Sequence, residues 1–407
     1  MESVFGWVDF IQEDKEKMHE FIKAISDQDT RDELGIGSIR DAFSNLFFPG
    51  TSTIQTRVKY MLFVPWIYQI TEEEGLEGKE AAIKAREMEI SLINTLKEAG
   101  EDQGLIGRDA GEKLQRTPAE IYWAGMKEWG ILKFNGSRKD YHNYLTKYYY
   151  ISSHKEFDDD NNPINDSLNQ IWDPGLVEMT DDFPEKASFQ LTFAEASYLY
   201  EKIKKNCSDT LLAELLDIEL DDPDFIWDHK CFINLKDDLR EKIRHAKYFA
   251  EVIQGANLLY NLMLAEEDEN LYKDEKVIYR DKFNQWKRSI KMSIDEIEMW
   301  NLNEFWSICK STGNIPVTTV DFINRWIDFI ISEKHFSEMP DSKKVRALLY
   351  NRELNIKGKR ARLQNPRYLQ MWGGSSNINK LDYRWSIAKT HIRDIKEAIN
   401  RGDLNDA

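Results

Sequence analysis

Along this chain, apolar residues recur at steps of three and four far more often than at steps of two, a pattern that predicts helices nearly throughout. Ile11, Met18, Phe21, Ile22 and Ile25 place one apolar stripe on an otherwise charged first helix, Ile11 to Ile25. Ser38 is placed to cap a short helix with Asp41 in its first turn, and Pro49-Gly50 to stop it. Thr51-Ser52-Thr53 then offers hydroxyl caps for a second helix. The stretch Tyr60 to Ile70 (YMLFVPWIYQI) is too short to span a bilayer and reads as core. An amphipathic helix follows over Lys79 to Ala99, closed by Gly100. Thr117-Pro118-Ala119-Glu120 is a capping box that opens another through Glu128.

Asn135-Gly136 is a hairpin signal and places a small β-ribbon after that helix. Helix then ribbon matches a winged-helix unit, and also many helical proteins that bind no nucleic acid. Further on, Thr192 to Glu195 is a second capping box for a helix reaching Lys205, and Thr210 to Ile218 forms a leucine-rich turn set. Lys236 to Glu266 has few breakers apart from Gly255 and should be the longest helix. Asp274 to Met292 and Val320 to Ile331 add two more. The expected class is mainly α, a multi-domain helical protein with minor β-ribbons and no fixed-period repeat.

Length and charge divide this pattern. A chain of 407 residues is long enough for several domains. Between Lys155 and Glu185 ten acids face one base, a local −9, with Pro163, Pro174 and Pro184 among them. That composition suits a surface loop or connection. The expected organisation is an N-terminal helical domain over 1–154, an acidic linker over 155–186, a central helical domain over 187–335 and a basic C-terminal region over 336–407.

The net charge is −17, so a nucleic-acid partner would require the bases to be concentrated somewhere. They are: from Asp341 to Gln370, nine bases (Lys343, Lys344, Arg346, Arg352, Lys357, Lys359, Arg360, Arg362, Arg367) face two acids, a local +7. Tyr350, Tyr368 and Trp372 could stack on bases or sugars beside them. The competing account packs this segment against acidic stretches such as Lys155 to Glu185 or Glu214 to Asp224 as an interface. A second candidate is a phosphate site at Thr51, Ser52 and Thr53 with Arg57 and Lys59 one turn on, because a helix start favours anions. The same residues also read as a capped helix with Arg57 paired to an acid.

Other chemistry is poorly represented. Cys207, Cys231 and Cys309 are far apart, which points to neither a disulfide framework nor a thiolate zinc site and fits a reducing cytoplasm. The opening residues have no signal-peptide pattern, and no membrane association is expected. The seven histidines form no HExxH arrangement, and no Walker loop, nucleophile elbow or dinucleotide fingerprint occurs. Asp224, Asp228 and Lys230 resemble fragments of a metal-nuclease signature without a strand to carry them, and Asp217 with Glu219 reads as a solvated pair. No metal or cofactor is expected.

Asp32 to Tyr68 (DELGIGSIRDAFSNLFFPGTSTIQTRVKYMLFVPWIY), Met371 to Trp385 (MWGGSSNINKLDYRW) and the opening Phe5 to Phe10 together resemble a family of uncharacterised bacterial proteins of about this length. Its members are often encoded in antiviral defence islands, near helicase-type and phospholipase-D-like proteins. The resemblance implies a phage-defence role within a multi-protein system that handles DNA, and it assigns no catalytic residues. Trp66, Tyr68, Trp372, Tyr383 and Trp385 are expected in cores, and Gly373-Gly374 in a tight turn. The leading expectation is a non-catalytic DNA-binding or adaptor subunit acting from Asp341 to Trp385. A metal-dependent nuclease with dispersed carboxylates and a scaffold docking a helicase-type partner are the alternatives.

Overall fold

The computed structural model describes residues 32–153 and 170–405; the helix expected over Ile11 to Ile25 and most of the acidic segment lie outside them. The first helices are α1 (Gly37–Phe47), α2 (Tyr60–Glu73), α3 (Gly78–Glu98), α4 (Pro118–Glu128) and α5 (Arg138–Ser153). After them come α6 (Phe193–Asn206), α7 (Leu211–Leu215), α8 (Asp237–Glu267), α9 (Lys273–Met292), α10 (Ile294–Glu298) and α11 (Leu302–Thr312). The series closes with α12 (Val317–Ile331), α13 (Glu333–Glu338), α14 (Lys343–Lys357), α15 (Pro366–Leu369) and α16 (Trp385–Asn405). The mainly helical class is as expected, and α8, at 31 residues, is the longest described helix. Among the described residues no helix is long and apolar enough to cross a membrane.

Two compact units interleave along the chain. Of the described residues, unit I takes 32–40 and His245–Leu381, and unit II takes those within Asp41–Arg244 and 382–405.

In unit II, every residue of α2 from Tyr60 to Tyr68 is buried, so the most apolar run of the sequence is core. Its rings meet those of neighbouring elements: Tyr60 lies 5.4 Å from Tyr122, Phe63 stacks on Phe183 at 5.6 Å, and Tyr68 lies 5.2 Å from Tyr141. α2 begins later than the hydroxyl run suggests. Residues 51–55 bond among themselves and to the turn before them, and the next residues bond to other elements: Thr56 N–H donates to Tyr122 Oη (2.8 Å), its hydroxyl to Gly104 O (2.6 Å), and Val58 N–H to Asp394 Oδ2 (3.3 Å). Thr51, Ser52 and Thr53 thus lie in a turn ahead of the helix, not at its start.

Two further local signals are overridden. The Asn135-Gly136 ribbon does not form, because Ser137 N–H and hydroxyl both donate to Asp140 Oδ2 (2.9 and 2.6 Å) and the chain turns at once into α5. Leu132 instead makes an isolated antiparallel bridge with Trp172, so no wing is present there. At α4 the expected capping box is absent: Glu89, from α3, accepts the Ala119 N–H at 2.6 Å. The box at Thr192 and Glu195 forms as read.

Unit I is built on α8. The indoles of Trp286 and Trp326 donate to the carbonyls of Glu251 (2.8 Å) and Val252 (2.9 Å). Gly255, read as a breaker, continues the helix, since a Cβ there would lie 2.2 Å from the Trp286 ring. Gly374, at φ +83°, makes the expected tight turn, and Asn261 on α8 holds the next residues by accepting from Ser376 N–H (2.8 Å) and donating to Ser376 O (2.7 Å).

Gly255→Ala should therefore lower stability by about 1–3 kcal/mol, although alanine normally favours a helix by roughly 1 kcal/mol; a urea melt reads the sign. A pH effect arises in unit II. Burial pushes the carboxyls of Glu72 and Glu89 up to about 7, and pushes His142 and His391 down to about 4 and about 3. The folded carboxyls keep protons that the unfolded chain releases, so stability falls as pH rises from the ordinary 4.5 through 7. The histidines refuse protons that the unfolded chain takes up, so stability falls as pH drops below 6.5. Urea midpoints should peak between these limits. Glu89→Gln should remove about 3 kcal/mol of the alkaline loss.

Candidate nucleic-acid interface

The basic segment occupies α14 and the turns after it, and its nine bases have unlike fates. Arg346 pairs with Glu266 at 2.6 Å, and Arg280 reaches the same carboxylate at 2.8 Å; although burial opposes it, these guanidinium contacts hold Glu266 below its usual range. Arg362 and Lys357 approach Glu33 at 2.7 and 3.5 Å. Arg352 is 6% exposed and donates to Leu34 O (2.8 Å), Gly35 O (3.1 Å) and Thr319 Oγ1 (2.8 Å), with its guanidinium 5.1 Å from the Phe322 ring. Lys343, Lys344, Lys359, Arg360 and Arg367 are exposed.

Beside Arg352 the fully buried Glu353 accepts from Tyr260 Oη (2.6 Å), Arg362 N–H (2.7 Å) and Leu363 N–H (3.0 Å). A buried carboxylate requires such donors, and these bring the chain after α14 back against α8. Four of the nine bases thus hold unit I together. Their acidic partners, Glu33 and Glu266, belong to neither of the acidic stretches read from the sequence. Trp372 is buried beside Tyr272 (4.7 Å between centroids), which removes it from any stacking surface. Tyr350 and Tyr368 are half-buried.

The phosphate candidates fall in unit II. Thr51 is buried with its hydroxyl on Phe48 O (2.6 Å), Ser52 is half-buried and Thr53 exposed. Arg57 forms a two-pronged pair with Asp394 (2.9 Å for each contact), and buried Lys59 pairs with Glu195. Burial lowers the Lys59 ammonium below its usual range despite that partner. Both cations are already neutralised, and the helix start lies at Tyr60.

A feature the sequence reading passed over is a groove of about 620 Å³ between α12 and α14. Its residues fall on one stripe of each helix: Asp321, Phe322, Arg325 and Phe329 on α12, Lys344, Leu348, Asn351 and Asn355 on α14. The three-and-four spacing was visible, but one sequence does not say which stripe a neighbouring helix covers. Among the described residues no group of three or more His, Cys, Asp or Glu is placed to hold a metal. Asp217, read from the sequence as one of a solvated pair with Glu219, forms an ion pair with Lys204 at 2.6 Å.

A family model described as a family of unknown function, DUF6361, matches residues 2–399. The chain belongs to that family. No curated protein and no solved structure matches it. For this DUF6361 member the described geometry separates anchoring bases from exposed ones. Glu353→Ala should therefore cost about 3–5 kcal/mol by leaving three donors unsatisfied, whereas Lys359→Ala should stay within about 0.5 kcal/mol; chemical denaturation of both variants checks the contrast.

Proposed function

We propose that the protein is a non-catalytic DNA-binding subunit of a bacterial antiviral defence system, with unit I as its contact unit. The observation that carries this reading is the exposure of Lys343, Lys344, Lys359, Arg360 and Arg367 on α14 and the turns after it. In a chain of net charge −17, five exposed bases within one short segment form a local cationic surface suited to phosphates. The defence setting rests on the resemblance carried by Asp32 to Tyr68 and Met371 to Trp385. In that setting a helicase-type or phospholipase-D-like protein is the expected partner, and the subunit serves as an adaptor between that partner and DNA.

The test is a titration of labelled single- and double-stranded DNA at several salt concentrations, with Mg²⁺ present and the DNA inspected afterwards. Binding should weaken with salt at a log–log slope of roughly −3 to −5, about −0.9 per phosphate engaged on duplex. The variant K343E/K359E/R360E/R367E should bind at least tenfold more weakly with its melting temperature unchanged. Unaltered binding by that variant removes the DNA reading, and cleaved DNA replaces it with a nuclease. Loss of phage protection on deleting the gene, restored by the wild-type chain alone, tests the defence setting.

A further inference from the structure

The α12–α14 groove has two properties that a surface filled only by water does not need. Its floor is apolar: Phe322 is buried, Phe329 and Leu348 are half-buried, and Ala347 is exposed beside them. Val317, at one end, is 82% exposed. Two antiparallel or crossing helices with an apolar seam offer the surface into which a third amphipathic helix packs.

The charges of the groove are one-sided. Arg325, Lys344 and Arg352 line it, against Asp321 alone, and Asp321 is already paired with Arg325 at 3.2 Å. Arg352 is the unusual member: a nearly buried guanidinium whose hydrogen bonds go to two carbonyls and a hydroxyl, all neutral acceptors. Asp32 acts on it only through space, so this buried cation, hydrogen-bonded to neutral acceptors, gains from a carboxylate brought close in a setting of low dielectric. Lys344 lies two turns away on the same stripe of α14, so a second acid one or two turns along an occupant would meet it. Asn351 and Asn355, one turn apart, supply amide donors and acceptors at the rim.

The geometry points to this groove as a docking site for an acidic amphipathic helix of a partner protein, one with apolar residues at i, i+3 or i+4 and i+7 and Asp or Glu flanking them. Nucleic acid fits less well: of the two rings on the floor, Phe322 is buried with the Arg352 guanidinium over it and Phe329 packs against His335, and Ala347, Leu348 and Val317 have no ring faces on which bases could stack. The site is separate from the DNA surface in all but Lys344, so the two readings fail separately.

The experiment pans a randomised library of displayed helical peptides on the full chain and on two groove-filling variants, Ala347→Trp and Asn351→Trp, at exposed positions. Expected is enrichment of peptides with an apolar stripe and flanking acids, whose synthetic copies bind the wild type at least tenfold more tightly than either variant. Replacing their acids with lysine should cost a further tenfold or more, and K343E/K359E/R360E/R367E should bind them as the wild type does. Enriched peptides indifferent to both tryptophans, or no enrichment, would overturn the inference. So would DNA affinity lost in Ala347→Trp alone, or self-association of the wild type that the variant abolishes, which would give the groove to nucleic acid or to a second copy.

Discussion

Unit I depends on α14 burying two opposite charges at adjacent positions, Arg352 and Glu353. Neither charge neutralises the other through a direct contact. Each instead recruits backbone: the carboxylate takes the N–H groups of Arg362 and Leu363 with the Tyr260 hydroxyl, and the guanidinium takes the carbonyls of Leu34 and Gly35 with the Thr319 hydroxyl. Because an unsatisfied buried charge costs several kcal/mol, four stretches far apart in sequence are held to one helix.

Unit II uses a related device with direct pairs. Asp394 on α16 holds Arg57 and the Val58 N–H, and Glu195 both closes the capping box of α6 and pairs with Lys59. These contacts fix the irregular run ahead of α2 and so decide where that buried helix begins. In both units basic side chains that look available in the sequence are structural, and the acids that hold them come from distant positions.

This sorting shapes the functional reading. A run of nine bases divides into five that are exposed and four that anchor unit I. Between α12 and α14 the same helix lines a groove in which bases outnumber acids, Arg325, Lys344 and Arg352 against Asp321. One short region thus offers two surfaces of different chemistry, as a subunit joining a protein to a polyanion requires.

The helices were largely legible in the sequence: α3, α4, α6, α8, α9 and α12 stand within a few residues of their periodic patterns, because amphipathic spacing and breakers act locally. So was the burial of Trp66, Tyr68, Trp372, Tyr383 and Trp385, since rings of that size are costly to leave in water. The start of α2 and the interleaving of the two units were decided by tertiary structure, where hydrogen bonds from distant side chains outweighed local preference; the Asn135-Gly136 turn lost instead to a local competitor, the Asp140 carboxylate that takes both donors of Ser137. Which bases remain exposed was also decided by tertiary structure. Charge counted along a chain says nothing about the partner that Glu33, Glu266 or Glu353 becomes once the chain has folded.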